Sequence, residues 1–427
     1  MYPRISASVG TALLCLPSAV CAGGFYLYEV SAAEVGLASA GWAARAQDAG
    51  TIFTNPAGMT RLSGNQFSAS AIAMYADIDF DVDQSVSTID GNNGDASAWI
   101  PLGGTYYSHS ISPDLKVGVG VGGYFGSALD FNSDWAGRYY LQEITLQAYT
   151  IQPTIAYRTN PEWSVGLGLA IHYGVLKQQS AINNTPILLP GPAQDDGRLE
   201  IEDTDIAVQG NLGILWEPSA STRFGLQYLT EAKLDFSDRP ELRNVRPALQ
   251  AVIDLAGLSG AKLDLEVTMP QALRASFYHD MNDRLALMGN VGWEDWSRFG
   301  RVDVTLSAED ATSLTADANY KDVWHLAFGA QYKYSDTCTL SAGVAYDSEM
   351  VDDDDRTFST PTGNTWRFGF GLEYRYEPKV SLSFAYELAY MGDLSVEANR
   401  GPLAGQVEGE FKNAMLHSFA LGWRKQF

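Results

Sequence analysis

The chain has 427 residues and a formal net charge of −23, because 51 acidic residues outnumber 28 basic ones. No basic stripe is available to neutralise phosphates, which excludes nucleic acid as a partner. The chain also contains 41 glycines and many aromatic residues, with 10 Trp, 22 Tyr and 18 Phe. Soluble domains rarely expose so many rings, whereas the interfacial girdles of outer-membrane barrels use them.

Residues 1–22 have the features of a secretory signal peptide. Arg4 provides a short positive region, residues 9–16 an apolar core, and Val20-Cys21-Ala22 a cleavage site. A lipoprotein anchor at Cys21 is disfavoured because the bulky Val20 precedes it. We therefore expect the chain to be exported and to lose this segment.

Removal of the signal peptide takes away Cys15 and Cys21, so the mature chain keeps only Cys338 and has no internal disulfide. Elsewhere no apolar run approaches the roughly 18 residues that a membrane helix needs. An exported chain with these properties is secreted, periplasmic or an outer-membrane barrel.

Residues 23–63 do not alternate in hydrophobicity like the chain that follows them. They are rich in Ala and Gly, and Asn55-Pro56-Ala57-Gly58 is a turn signal. We interpret this region as a plug, or hatch, inside the lumen of a barrel, which predicts a gated conduit. Its Gly24-Phe25 end is expected to reach a ligand pocket, and its Asn55-Pro56-Ala57 turn to anchor the other end to the first strand.

Residues 64–427 show a period of two. Within residues 163–175, Trp163, Leu167 and other large side chains alternate with small ones. In a barrel in lipid, the large side chains point outward and the small ones line the lumen. A soluble sandwich also alternates, but its outer face is rarely so rich in glycine. We therefore predict an all-β membrane protein with a 14-stranded antiparallel transmembrane barrel, its strands at residues 65–81, 98–111, 115–127, 144–158, 163–177, 203–217, 221–236, 263–280, 283–305, 320–334, 337–348, 364–377, 379–392 and 411–427.

The connections between these strands alternate strictly in length. Six are tight, as at Ser112-Pro113-Asp114 and Met281-Asn282, and seven are long. Short periplasmic turns and longer extracellular loops follow this pattern, and an even number of strands closes the barrel without a free edge. Both termini are then expected in the periplasm of a Gram-negative bacterium.

Four motifs in this order resemble the FadL/TodX-type family of outer-membrane transporters for long-chain fatty acids and aromatic hydrocarbons. They are residues 48–58 with their Asp48-Ala49-Gly50 and Asn55-Pro56-Ala57-Gly58 pieces, residues 134–139, residues 293–297, and residues 320–324 followed by 342–347. The resemblance covers nearly the whole mature chain. It implies an N-terminal hatch, capture of ligand in an apolar groove between outer loops, transfer to a deeper pocket, and lateral release through a kink in the third strand.

The fourth outer loop is predicted to carry an apolar helix. Leu249, Val252 and Ile253 recur at helical spacing, and the third loop offers a partner in Ile187, Leu188 and Leu189. Together they predict a groove that faces the medium, although the two loops also have the composition to cap the barrel by packing together. Arg243 and Arg246 flank the helix and are candidates to attract a carboxylate.

The third strand contains many glycines and therefore carries few side chains. Glycine in a strand marks a bulge or a close approach, so Gly122, Gly123 and Gly126 predict an inward kink with an opening in the wall. The alternative is that these glycines simply face the lumen, as in the neighbouring strands.

Charged side chains are predicted to face the lumen on adjacent strands, and two histidines, His172 and His325, also point inward. Unpaired charge in a partly dry barrel is costly, so we expect pairing with one another or with Arg45, Asp48 and Arg61 of the hatch. The lumen network predicted in this way comprises Arg367, Glu373, Arg375 and Glu387.

No nucleophile motif accompanies the scattered histidines, and the acidic run at residues 352–355 lacks the ligand order of a calcium loop. We therefore predict no enzyme activity, metal or cofactor. The expected partners are a hydrophobic small molecule and the lipid and lipopolysaccharide of the outer membrane, with a monomeric chain. Uptake of long-chain fatty acids is the first interpretation. Uptake of aromatic hydrocarbons, a general porin and a surface receptor are the alternatives.

Overall fold

A computed structural model describes residues 26–184, 195–255, 259–299, 301–307, 312–401 and 404–427, with the backbone alone for residues 301–307 and 312–317. Fourteen strands form the wall of a barrel: β1 (Gln66–Asp77), β2 (Ala98–Ser110), β3 (Leu115–Asp130), β4 (Glu143–Arg158), β5 (Trp163–Ile182), β6 (Gly197–Ser219), β7 (Thr222–Leu229), β8 (Ala272–Asp280), β9 (Leu285–Glu294), β10 (Val323–Lys333), β11 (Cys338–Asp347), β12 (Thr365–Glu377), β13 (Val380–Asn399) and β14 (Gln406–Gln426).

The wall closes on itself. Each strand pairs antiparallel with its neighbours in sequence, and β1 pairs with β2 on one side and with β14 on the other. Closure leaves no edge strand with unsatisfied backbone groups, which a bilayer requires of a spanning sheet. The predicted 14-stranded barrel is confirmed.

Large and small side chains alternate between the outer and inner faces of the wall, as the sequence predicted. Along β5, Trp163 and Leu167 are exposed by 42% and 49%, whereas Ser164 and His172 are almost fully buried. The large side chains thus form the outer face and the small ones the inner face. No helix in the described ranges is long and apolar enough to cross a membrane.

The connections separate the barrel into two ends. Six short turns link strand pairs such as β2 with β3 and β4 with β5, and define the short-turn end; the other connections define the long-loop end. The last connection is shorter than expected. β13 extends to Asn399 and β14 begins at Gln406, so the loop between them comprises only residues 400–405.

Three of the predicted strands, at residues 221–236, 263–280 and 283–305, are interrupted where they leave the wall. Their outer parts, together with a fourth segment that precedes the predicted strand at residues 320–334, form a separate antiparallel sheet beyond the long-loop end, which we call the outer sheet. Pro270 lies at one of these breaks, and proline removes a hydrogen-bond donor from a ladder. The segments of the outer sheet are Ala232–Asp238, Lys262–Met269, Arg301–Ser307 and Thr312–Asp317.

The remaining elements are short. Three further strands, Asp79–Val82, Gly94–Asp95 and Glu241–Arg243, extend the wall at the long-loop end. The helices are Ala32–Val35, Thr51–Thr54, Pro247–Leu255 and Trp296–Phe299, and the 3-10 helices are Pro56–Arg61 and Asp353–Asp355.

Residues 26–62, which we call the lumen segment, fill the inside of the barrel. None of them is exposed. The helix Ala32–Val35 contacts β1 and β12 to β14, and the 3-10 helix Pro56–Arg61 contacts β3 to β6 on the other side. The segment therefore bridges the lumen.

Glycines on the inner face of the wall make this packing possible. A side chain at Gly225 would collide with the carbonyl group of Ala43, and one at Gly343 with that of Leu37. The wall and the lumen segment approach so closely that only hydrogen fits between their backbones. The glycine richness of the inner face thus follows from what the lumen contains.

The sequence predicted that the Asn55 turn anchors the lumen segment to β1, but the hydrogen bonds of Asn55 reach β6 instead. The Asn55 Nδ2 group donates to the carbonyl oxygens of Ala43 at 2.6 Å and Ile214 at 3.0 Å, and Oδ1 accepts from the Ala57 N–H at 3.0 Å. Ile214 lies on β6, so this turn is fastened to the wall at β6. The small inner residues Gly166 and Gly213 leave room for the turn there.

Candidate functional site

A cavity of about 580 Å³ lies between the lumen segment and the wall near the long-loop end. Ligand pockets typically span roughly 300–1,000 Å³. The cavity reaches from β2 and β3 across the lumen to β11 and β12. Most of its lining is apolar, and includes Met74, Ile100, Leu102, Phe125, Leu129 and Met391.

On one side the cavity meets an interruption in the wall. The pairing of β2 with β3 runs from Ser110 and Lys116 to Gly104 and Gly122, and stops there. Beyond this point β2 continues beside β1 and β3 continues beside β4. The two strands therefore separate, and residues on both separated edges line the cavity.

The interruption coincides with a bulge in β3. Gly122 pairs with Thr150 and Phe125 with Ala148, so β3 holds one more residue than β4 between these points. A bulge bends the strand that carries the extra residue. Gly126, one residue further, has a φ of +158°, a conformation that favours glycine. Gly122, Gly123 and Gly126 all border the cavity.

The first described residues of the lumen segment pair with this bulge. The Leu27 N–H donates to the Tyr124 carbonyl oxygen at 2.9 Å, and Tyr26 forms an isolated antiparallel bridge with Phe125. The lumen segment thus occupies an edge of β3 that β2 has left. Gly24 and Phe25, which we expected to reach the pocket, lie outside the described residues.

On the opposite side the cavity meets a buried cluster of charged groups, the Arg367 cluster, formed by Glu29, His325, Asp347, Arg367 and Glu387. The Arg367 guanidinium group donates to Asp347 at 2.7 Å, to Glu29 at 2.7 Å and to Glu387 at 3.0 Å. His325 Nδ1 contacts the other oxygen of Asp347. All five residues are less than 10% exposed.

The cluster is joined to the lumen segment by two further contacts. His325 Nε2 lies 2.9 Å from the Ser39 hydroxyl oxygen, and the Tyr28 ring stacks on the His325 ring at 4.2 Å. Together with Glu29, these residues fasten the lumen segment to β10, β11, β12 and β13. Such a network restrains the segment more strongly than one ion pair does.

A second buried ion pair lies beside Tyr28. Arg274 on β8 donates to Glu294 on β9 at 2.6 Å, and the Tyr28 hydroxyl group donates to the same carboxylate at 2.8 Å. The indole N–H of Trp296 donates to the second oxygen of Glu294 at 2.8 Å. Glu294 also lines the cavity, so both ion-pair systems border the same space.

The other charges predicted for the lumen network lie elsewhere. Glu373 accepts from Arg424 at 2.5 Å near the short-turn end. Arg375 departs from the prediction, because it is exposed beyond the end of the lumen and forms no ion pair with any residue in the described ranges. The hatch partners differ too, since Arg45 pairs with Glu34, and Arg61 with Glu217.

Sequence reasoning missed Glu29, Arg274, Glu294 and Asp347. Two of them fall in motifs that carried the family resemblance: Glu294 in residues 293–297 and Asp347 at the end of residues 342–347. Asp347 follows a run of apolar and small residues, and Glu294 stands with Asp295 between two tryptophans, which was the available signal. Their partners on other strands were not visible without the fold.

The loop helix Pro247–Leu255 is present as predicted. Leu249 and Ile253 are buried, while Val252 is half-buried. Arg243 is exposed and pairs with Glu241 at 2.5 Å, whereas Arg246 is buried and donates to the Asn184 carbonyl oxygen at 3.3 Å. Ile187, Leu188 and Leu189 lie outside the described residues, so the groove between the two loops stays a prediction.

Residues 134–139 close the long-loop end. Trp135 is fully buried, stacks on Phe131 at 4.4 Å and meets Phe80 edge-on. Hydrogen bonds from Asn132 and Asn92 lower the pKa of Asp134, the first residue of this motif. Its last residue, Tyr139, donates to Asp196, and burial raises the pKa of Tyr139 to about 12. The motif is therefore a structural element of the loop cap.

No group of three or more His, Cys, Asp or Glu side chains within the described ranges is arranged to hold a metal ion. The absence of enzyme activity stays a prediction.

Comparisons with known proteins agree with this architecture. A family model described as "Outer membrane protein transport protein (OMPP1/FadL/TodX)" matches residues 13–427. The "Long-chain fatty acid transport protein" of Salmonella typhi is 29% identical over 411 residues, which cover 91% of each chain.

Solved structures show the same fold. A FadL homologue from Pseudomonas aeruginosa superimposes with a TM-score of 0.82 at 21% identity, covering 95% of this chain and 100% of that one. The toluene transporter TodX of Pseudomonas putida gives a TM-score of 0.67 at 14% identity, covering 94% and 99%. Both structures share the architecture of this chain.

Proposed function

Because the chain belongs to the OMPP1/FadL/TodX family of outer membrane transport proteins, we propose that it carries long-chain fatty acids or similar long apolar compounds into the cell. It is an outer-membrane transporter for hydrophobic small molecules. The finer choice of long-chain compounds draws support from the name of its relative in Salmonella typhi, and from the size of the cavity, which exceeds what one aromatic ring requires.

The observation that carries the proposal is the continuity of the cavity. One apolar space runs from the Arg367 cluster to the separated edges of β2 and β3. A hydrophobic solute in this space lies beside the separated edges, which are the proposed route through the wall. Because apolar surface is expelled from water, such a solute leaves through the wall into lipid in preference to the aqueous periplasm.

In this mechanism the lumen segment is the hatch. It blocks the aqueous route through the barrel, and its Tyr26–Leu27 end occupies the edge of β3 beside the opening. Ligand is captured by the outer loops, enters the cavity and displaces this end. The bulge at Gly122 to Phe125 then serves as the lateral exit.

The loop lengths give the orientation that we propose. Outer-membrane barrels have short periplasmic turns and longer extracellular loops, so the short-turn end faces the periplasm, as do both termini. The loop cap around Trp135 then faces the medium, among the lipopolysaccharide. A monomer suffices for this function, since the cavity and the wall opening both lie within one chain.

The alternatives have less support. Aromatic hydrocarbons fit the same path, and Tyr26, Tyr28 and Phe125 would offer them rings, but one ring leaves much of the cavity empty. A general porin needs an open lumen, whereas residues 26–62 fill this one. A role as a surface receptor has no supporting feature in the described ranges.

Substitution of Gly123 tests the lateral path. A Cβ atom at this position meets only the Ala148 carbonyl oxygen at 3.2 Å, so Gly123→Glu places a carboxylate at the opening with little distortion. In Gram-negative cells that lack their own long-chain fatty acid transport protein, we expect uptake of labelled oleate to fall by about tenfold or more, because a buried charge is costly.

The matched control is Gly123→Ala, which adds a methyl group without charge and should retain most of the uptake. Equal uptake by Gly123→Glu and the unaltered protein would contradict lateral release. No uptake of oleate by the unaltered protein, with toluene uptake intact, would instead favour the aromatic alternative.

A further inference from the structure

The polar side of the cavity holds more carboxyl groups than guanidinium groups. Four carboxyl groups belong to the two ion-pair systems, those of Glu29, Glu294, Asp347 and Glu387, against the two guanidinium groups of Arg274 and Arg367. Asp347, Glu294 and Arg367 line the cavity directly, so a ligand that enters it meets this imbalance.

The guanidinium groups are already engaged. Arg367 has three carboxyl partners within 3.0 Å. Arg274 is held by Glu294 and lies 5.3 to 5.5 Å from the ring centres of Tyr26, Tyr28 and Trp42. A ligand carboxylate at Arg367 would become its fourth acidic partner, at a site where low dielectric strengthens repulsion.

We propose, on the basis of the transport function inferred above, that this cavity selects ligands whose polar end is uncharged and donates a hydrogen bond, and that it rejects anions. The ligand class comprises long-chain alcohols and protonated long-chain carboxylic acids. Glu29, Glu294, Asp347 and Glu387 are the residues that determine this specificity.

The cavity provides acceptors for such a donor. Asp347 accepts from His325 on one oxygen and from Arg367 on the other, and a carboxylate has about four lone-pair positions. Each oxygen therefore retains capacity for a ligand hydroxyl group. Thr362 also lines the cavity, and its enclosed hydroxyl oxygen has no hydrogen-bond partner among the described residues.

A fatty acid meets this requirement when it enters protonated. Transfer of a carboxyl group from water into an apolar site raises its pKa, so the acid becomes neutral as it leaves water. The neutral acid also matches the proposed exit, because it partitions into lipid more readily than the anion. The selection for neutral ligands thus favours molecules that are able to leave through the wall.

A series of ligands with one chain length tests the proposal. The protein in phospholipid nanodiscs is given tritiated hexadecanol, and competition is measured with hexadecanoic acid and with hexadecanesulfonate, a permanent anion. We expect hexadecanol to bind equally from mildly acidic to mildly alkaline buffer. The sulfonate should bind about tenfold more weakly or worse, and the acid should weaken as the pH rises.

The variant Glu29→Gln removes one carboxylate and keeps the side-chain shape. It should raise sulfonate affinity relative to hexadecanol, because Arg367 then has one acidic partner fewer and is more available to an anion. The matched control is Glu266→Gln, which breaks the ion pair with Lys233 in the outer sheet, away from the cavity lining. This control should leave the ratio of the two affinities unchanged.

The outcomes separate this inference from the transport function. Sulfonate that binds as tightly as hexadecanol would overturn the selection for neutral ligands, while uptake of apolar compounds would stand. Failure of all three ligands to bind would overturn the transport proposal, and this inference with it. Equal shifts in both Glu→Gln variants would also refute the role of the four carboxyl residues.

Discussion

At the scale of single residues, the lumen depends on polar side chains that each reach a distant element. Glu29 and Arg367 are 338 positions apart in the chain, yet their charged groups lie 2.7 Å from each other. Asn55 satisfies two carbonyl groups and one N–H at once. Because these groups are buried, each one left without its partner costs free energy.

Substitution of Arg367 should therefore destabilise the barrel. Arg367→Met leaves Glu29, Asp347 and Glu387 close together without their cation, and removal of one partner from a buried ion pair costs about 3–5 kcal/mol. We expect the midpoint of urea unfolding in detergent micelles to fall accordingly. The double variant Arg367→Met with Glu387→Gln should recover part of the loss, and a double variant less stable than Arg367→Met would argue against charge repulsion as the cause.

At the scale of elements, the strands follow from the alternating pattern, but their interruptions do not. The predicted strand at residues 283–305 ends at Glu294 and resumes at Arg301, with the helix Trp296–Phe299 between. The apolar positions change parity across this break, from Val291 and Trp293 to Val302 and Val304, and the prediction of one continuous strand overlooked this change. The helix forms because Trp296 and Phe299 pack against Tyr26 and Phe125 in the lumen.

The loop helix Pro247–Leu255 gives a prediction at this scale. Leu249 and Ile253 share one buried face, so Ile253→Asp places a charge in an apolar contact. If this face belongs to the capture groove, the oleate concentration for half-maximal uptake should rise about tenfold, with the maximal rate unchanged.

The control for this prediction is Ala251→Asp on the exposed side of the same helix. It introduces the same charge without burying it and should leave uptake unaltered at every oleate concentration. Equal uptake curves for Ile253→Asp and Ala251→Asp would show that the helix only caps the barrel.

At the scale of the whole molecule, the wall and the lumen segment form one packed unit. Contacts on opposite sides of the lumen, from β1 and β12 to β14 on one side and from β3 to β6 on the other, hold residues 26–62 across the barrel. Close backbone approach at Gly225 and Gly343 leaves no water layer at those points. This packing supports the proposal that the barrel is closed to polar solutes while the apolar cavity stays available.

Deletion of residues 24–45 should open this lumen. The deletion removes Glu29 and the helix Ala32–Val35 but leaves the Asn55 turn fastened to β6. We expect proteoliposomes with this variant to swell much faster in small sugars than those with the full chain, and selective uptake of oleate to be lost. Swelling at the same slow rate as the full-length protein would show that the segment does not block the lumen.

Local patterns in the chain were sufficient to determine the barrel, the number of strands, the order of short and long connections, and a segment with no place in the wall. Each of these depends on periodicity or on turn residues within a few positions of one another. For the same reason, the sequence alone identified the strand that bulges, through Gly122, Gly123 and Gly126.

Only the tertiary structure decided the pairings across the lumen. Closure of the wall brings Glu29, Asp347 and Glu387 to one guanidinium group and fastens the Asn55 turn to β6. It also leaves Arg375 exposed, without an ion pair to any residue that the structure describes. The physical reason is that an inward-facing charge is visible as a residue type at an alternating position, whereas its partner is set by the strand order around the closed wall and by the path of the lumen segment. Neither the strand order nor the path of the lumen segment is encoded in the residues that flank the charged side chain.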